Sequence, residues 1–236
     1  MNIHQQLLSA KQRISAICRR NSKDYVSRLQ LASINAQLDD MEAVIECCKE
    51  AIEINPDIPD AHYNLGFALH RLGKLDDADL SYRNAIRCHP AHNQAHLNLG
   101  ALLRDRGNLD EAFLHFEKVL KQQPDQAEAL YGCGICCMDK DNYSDAAAYF
   151  RDYIKLHSDS CEAHCKLGIS LMQLGHIQQA TEWIKTAAQL DPEHAETYLY
   201  EKHIQYSCHS PSTSSRQKRK SVDIDESRKN TLIEAS

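Results

Sequence analysis

Small and bulky apolar residues return along this chain at a fixed spacing. Tyr25, Pro59, Asn93, Ala127 and Cys161 can be taken as the first residues of five units of 34. A small residue then falls at the eighth position of each: Ala32, Gly66, Gly100, Gly134 and Gly168. Leucine precedes it in four units (Leu31, Leu65, Leu99, Leu167), with Cys133 in the other. Position 20 holds Val44, Ala78, Ala112, Ala146 and Ala180, and position 24 holds Cys48, Tyr82, Phe116, Phe150 and Ile184. Apolar residues at intervals of three and four predict amphipathic helices. The small residues at 8 and 20 let two helices approach closely, and the larger residue at 24 fills the space beside them.

The breaks keep the same period. Pro56, Pro90 and Pro124 stand 34 apart, and Pro192 stands 68 further on with Ser158 at the midpoint. Proline at position 32 stops the second helix and resets the chain. Gly73, Gly107 and Gly175, at position 15, are expected to close the first helix in a left-handed conformation. Gly132 alone of the eight glycines lies at neither position 8 nor position 15. Self-similarity at this period predicts an all-α array of helix pairs that bury their apolar faces only against neighbours.

These residues resemble the tetratricopeptide repeat family from about Tyr25 to Glu193. Asn64-Leu-Gly, Asn98-Leu-Gly and Lys166-Leu-Gly carry the resemblance best. It implies a right-handed superhelical α-solenoid of antiparallel helix pairs, with five repeats over 25–193. Counting back one period puts Ala10, Ile14 and Ile17 at positions 20, 24 and 27. Residues 1–24 are thus expected to hold an N-terminal capping helix, the second half of a degenerate repeat. A C-terminal capping helix is expected over 194–206. The polar and charged tail, 207–236, has too few apolar residues to fold and is expected to be disordered.

The resemblance also implies that first helices line a concave surface, with positions 2, 5, 6, 9, 12 and 13 facing it. Tyr63, Asn64, Phe67, Arg71, Asn98, Arg104, Tyr131 and Lys166 are then the candidate peptide-binding residues. Asn64 and Asn98 share position 6, and an amide that both donates and accepts can hold a peptide backbone. The pair is similar to the asparagine ladder in the repeat region of O-GlcNAc transferases, the family's members closest to these units. Gln30, Gly132 and Lys166 occupy the equivalent sites.

The implied function is a non-catalytic scaffold or adaptor that takes a protein or peptide segment in its groove. One alternative is a substrate-recruiting component of a glycosyltransferase system that lacks the catalytic domain. Another is a co-chaperone-like adaptor, although Leu29 and Tyr63 stand at position 5, where a carboxylate clamp needs lysine.

Composition narrows the setting. The net charge of −6 argues against wholesale nucleic-acid binding. From Ser207 onward six Lys/Arg face four Asp/Glu, so the tail is +2 and the rest −8. The sequence has no membrane-length apolar run and no apolar signal segment at its start. Ten cysteines without a signal favour a reducing compartment, the cytoplasm. The basic run Arg216–Lys220 offers a route to the nucleus, and Ser221 beside it could accept phosphate. The oligomeric state stays open.

No catalytic residue, cofactor or metal site is expected. Cys133, Cys136 and Cys137 form a C-x-x-C, but Cys133 and Cys137 occupy positions 7 and 11, where leucine stands in other units. Cys161, His164 and Cys165 share one helical turn, which seldom gives tetrahedral zinc geometry. His62, His96 and His164 recur at position 4 as part of the repeat. His89, His92 and His96 could bind a metal adventitiously but are expected to be solvated linker residues, and Trp183 a packing residue of a second helix.

Overall fold

The computed structural model describes residues 2–193 and 195. Eleven α-helices and no strands occur among them. They are α1 (Ile3–Arg20), α2 (Tyr25–Gln37), α3 (Met41–Ile54), α4 (Pro59–Arg71), α5 (Leu75–Cys88), α6 (Asn93–Asp105), α7 (Leu109–Gln122), α8 (Ala127–Asp139), α9 (Tyr143–Leu156), α10 (Cys161–Gln173) and α11 (Ile177–Leu190). Helices α2, α4, α6, α8 and α10 start on the five unit-start residues. The expected capping helix over 194–206 and the tail lie outside the described residues.

Each helix packs against its partner in the same unit and against the next helix in the chain. First helices also meet one another: α2 with α4, α4 with α6, and α6 with α8. Second helices do not approach each other comparably. The first helices therefore form the inner layer of an α-solenoid, and the second helices the outer one.

The close approaches follow the sequence. A Cβ on Gly66 would stand 2.7 Å from the Tyr82 ring, one on Gly100 2.9 Å from Phe116, and one on Gly134 2.8 Å from Phe150. On Gly168 it would stand 2.6 Å from Ile184 Cγ1. Unit one tolerates Ala32 because its position 24 is the small Cys48. Gly132, the glycine outside the periodic positions, faces Phe116 of the preceding unit, which a Cβ there would meet at 2.6 Å. The Phe116 ring is thus held between Gly100 of its own unit and Gly132 of the next.

The turn inside every unit closes alike. The residue-16 N–H (Asp40, Lys74, Asn108, Asn142, His176) donates to the residue-11 carbonyl at 2.8–2.9 Å. That six-to-one bond needs a left-handed residue before it. Gly73, Gly107 and Gly175 supply φ of 73°, 79° and 80°. In units one and four Asp39 and Asp141 adopt the same conformation, φ 60° and 58°.

Side chains then start the helices. Asp24 accepts from Ser27 N–H at 3.1 Å, Asp40 from Ala43 N–H at 3.1 Å, and Ser160 from Ala163 N–H at 3.3 Å. Position 4 secures the linker between units. His62 Nε2 lies 2.7 Å from the Pro56 carbonyl, and His96 Nε2 3.0 Å from that of Pro90. The linker into unit five has Ser158 where those into units two, three and four have proline, and there His164 Nδ1 turns to the Ser160 carbonyl at 2.8 Å.

Candidate peptide-binding surface

The candidate residues lie on the inner-layer helices α4, α6, α8 and α10, and in units two and four the position 5 ring packs against position 24 of the partner helix. Tyr63, Asn64 and Phe67 on α4 are half-buried. Tyr63 packs 6.1 Å from Tyr82 and 5.0 Å from His92, ring to ring. Burial holds its hydroxyl above the ordinary tyrosine range. Asn98 on α6 is half-buried and donates from Nδ2 to Tyr63 Oη at 3.4 Å, a long bond. That contact joins positions 5 and 6 across the boundary between units two and three.

The cations differ in setting. Arg71, at the exposed end of α4, pairs with Asp39 of the unit before at 3.0 Å. Arg104 is half-buried and pairs with its neighbour Asp105 at 2.7 Å. Lys166 is 8 % exposed. Its ammonium lies 3.2 Å from Glu162 and 5.9 Å from the centre of the Tyr131 ring. Tyr131 in turn packs edge-on to Phe150 at 5.9 Å and beside Tyr153 at 5.2 Å. Its position 5 contact with position 24 repeats that of Tyr63 with Tyr82.

Two clusters are thus assembled on the inner layer. Tyr63, Asn64, Phe67 and Asn98 share the α4–α6 face, and Tyr131 with Lys166 the α8–α10 face. Arg71 and Arg104 lie toward the ends of their helices, bound to carboxylates. The surface can offer aromatic contact, amide hydrogen bonds and paired charge.

The cysteines lie elsewhere. Cys133 and Cys136 are fully buried and Cys137 nearly so. Burial pushes Cys136 and Cys137 up to about 11 and Cys133 further still. Cys161 donates to the Ala187 carbonyl at 3.4 Å. No group of three His, Cys, Asp or Glu among the described residues could hold a metal ion, and no helix of the described residues is long and apolar enough to cross a membrane.

Contacts between units escaped the sequence reading. Arg106 pairs with Asp76 at 2.6 Å, and Lys140 pairs with Asp110. Both join position 14 of one unit to position 18 of the unit before, thirty residues back. The two pairs share one spacing, a signal available in the sequence. His115 was also missed, and His96, expected to be solvated, is fully buried: the two Nδ1 atoms stand 2.7 Å apart in the core.

Comparison with curated proteins gives no match. Among solved structures, YrrB, described as a TPR protein with an unusual peptide-binding site, aligns with a TM-score of 0.72 at 16 % identity, covering 80 % of this chain and 97 % of that one. MamA from Desulfovibrio magneticus RS-1 aligns at 0.66 and 19 % identity, covering 73 % of this chain and 97 % of its own. PilW, a type IV pilus biogenesis factor, aligns at 0.67 and 22 % identity, covering 83 % and 91 %. At such identities the likeness is one of fold. Models of the tetratricopeptide repeat match residues 36–73, 63–125, 103–164 and 161–194, overlapping along most of the helical array. With the 34-residue period, the paired helices and the glycine seats in agreement, the chain belongs to the tetratricopeptide repeat family.

Proposed function

We propose that this protein is a non-catalytic scaffold whose inner layer holds a peptide segment of a partner protein. The observation that carries the reading is the α4–α6 face. Tyr63, Asn64, Phe67 and Asn98 are half-buried there, and Asn98 reaches Tyr63 Oη across the unit boundary. Aromatic faces flanked by amides suit an extended backbone, gripped independently of its side chains. The peptide-binding site of YrrB, on the same fold, is in keeping with this use.

Tyr131 extends the binding line to the α8–α10 face, with the buried Lys166 ammonium 5.9 Å from the centre of its ring. Arg71 and Arg104, paired with Asp39 and Asp105, offer polar contacts near its ends. The experiment is selection of binding peptides from a random library with the full chain, followed by calorimetry. Asn64→Ala with Asn98→Ala should weaken a selected peptide about tenfold, the loss of one or two net hydrogen bonds. A library that yields no binder, or a double variant with undiminished affinity for each selected peptide, would reject the reading. Turnover of a sugar nucleotide by the purified chain would overturn its non-catalytic part.

A further inference from the structure

Helix α1 carries the second-helix pattern without a first helix packed on its outer flank among the described residues. Ala10, Ile14 and Ile17 stand at its positions 20, 24 and 27. Further along the chain such a helix is clamped from two sides, as the Phe116 ring is clamped by Gly100 on α6 and Gly132 on α8. Among the described residues helix α1 has such a neighbour on one side only, α2. It buries no residue, and Leu8 and Ile17 are each 42 % exposed. Ile184, at the same position as Ile14 in its unit, is fully buried. Between α1 and α2 lies an open cavity of about 520 Å³, lined by Ala10, Ile14 and Ile17 on one side and by Gln30, Ser33 and Ile34 on the other.

We infer that this cavity is the docking seat for an acidic amphipathic helix of a partner protein, lying where a first helix lies in the other units. The chain's own interior defines the guest. Each first helix spans 13 residues. Where position 24 is isoleucine, its seat requires glycine, since a Cβ on Gly168 would meet Ile184 at 2.6 Å. The guest therefore presents a glycine to Ile14, with larger apolar residues one position before it and three after. Charge sets the rest of its sequence. Helix α1 carries Lys11, Arg13, Arg19 and Arg20 and no carboxylate, and Arg13 stands at the rim of the cavity. Lys11 is held by Asp40 at 3.0 Å, but no ion pair among the described residues engages Arg13 or Arg20. A guest with glutamates along its outward edge matches that field.

A second copy of this chain is a poorer occupant. Its described first helices are already packed between two second helices, and none can be lent without unfolding a unit. This seat is separate from the proposed peptide surface on α4–α10, and the two can fail independently.

The test uses the full chain and a fluorescein-labelled synthetic helix. The helix has leucine at its seventh and eleventh positions, glycine at its eighth and glutamate at its outward positions. Saturable binding by anisotropy is expected. Replacing the peptide's glycine by leucine, or its glutamates by lysines, should weaken binding at least tenfold. Ile14→Asp should abolish it. Gln30→Trp, which fills the cavity from α2 and leaves α1 untouched, should do the same with an unchanged far-ultraviolet circular dichroism spectrum. Asn64→Ala with Asn98→Ala should leave it unchanged. Binding that persists in both Ile14→Asp and Gln30→Trp overturns the inference. So does a lysine peptide that binds as well as the glutamate one. Sedimentation showing self-association that Ile14→Asp abolishes, without peptide binding, would assign the seat to a second copy and equally overturn it.

Discussion

The rings of His96 and His115 share one proton in the core of unit three: their Nδ1 atoms stand 2.7 Å apart. His96 Nε2 lies 3.0 Å from the Pro90 carbonyl, an acceptor, so that nitrogen carries a hydrogen and donates. The neutral ring then has a lone pair on Nδ1, and His115 Nδ1–H must donate to it. Two protonated rings would point two hydrogens at each other. Desolvation lowers both rings below the ordinary histidine value, and takes His115 to about 4. Glu111, 3.8 Å from His115 Nε2, pulls the other way, while Lys118 and Arg83 add to the depression. His92 and Lys118 act on His96 in the same direction.

Stability should therefore fall with acid before the carboxylates titrate. The unfolded ring takes its proton near 6.5 and the folded His115 only near 4. Between those values the unfolded state binds more protons, so folding weakens as pH drops and recovers as it rises. The full effect is about 2 kcal/mol for His115, allowing for the solvent that still reaches its outer edge. Urea melts at pH 7 and pH 4.5 should show it. His115→Gln keeps a donor for His96 but does not titrate, so it should flatten the profile by more than half. A variant with the wild-type pH slope would show that the pair does not control it.

The glycine seats make a coupled prediction. Gly168→Ala gains helix propensity, about 1 kcal/mol, but forces a methyl to 2.6 Å from Ile184. Overpacking of this kind costs about 1–3 kcal/mol, so a net loss is expected. Unit one shows the remedy, since Ala32 there faces Cys48. Ile184→Cys alone should cost about 1–2 kcal/mol by leaving a cavity. Combined with Gly168→Ala the two losses should be less than additive, by about 1 kcal/mol. Strict additivity in thermal or urea melts would mean that positions 8 and 24 do not set each other's size.

The helix pairs were legible because their determinants repeat. Gly66, Gly100, Gly134 and Gly168 each announce a close contact sixteen residues ahead, and five copies average out the noise of any one. Gly132 did not fit, because its partner, Phe116, belongs to the preceding unit and the pattern was read within units. The His96–His115 bond was invisible for a related reason. Position 23 holds Cys47, Ser81, His115, Tyr149 and Trp183, so nothing periodic marks it. The candidate surface was readable as a set of helix positions but not as a set of environments. Lys166, expected on the groove, sits buried over the Tyr131 ring and beside Glu162. Position along a helix gives direction, while burial depends on which neighbours happen to be large.

Asp39 was unreadable as a turn residue because glycine was the expected signature. Its φ of 60° strains a residue with a Cβ. Its carboxylate meets Arg71 at 3.0 Å, with both groups largely exposed, a pair of little value to stability. Asp39→Gly should therefore stabilise the protein by about 0.5–1 kcal/mol, despite the ion pair it removes. Differential scanning calorimetry decides the sign. A destabilised variant would mean that the Arg71 contact outweighs the backbone strain.

The core thiols should be inert while the protein is folded. Burial raises Cys47, Cys136 and Cys137 to about 11 and Cys48 and Cys165 to about 12. A thiol reagent reacts with the thiolate, whose fraction at pH 8 is then about a thousandth or less. Cys18 and Cys88 are only half-buried and should react first. Cys208 lies outside the described residues, and Cys208→Ser removes its contribution from the count. In that variant, Ellman's reagent at pH 8 should label Cys18 and Cys88 quickly and the core thiols only as units open. Labelling should become uniform in urea, because unfolding removes the desolvation that separates the two groups. Rapid native labelling of Cys133 or Cys136, read by peptide mass mapping, would contradict a packing role and restore the C-x-x-C as a reactive pair.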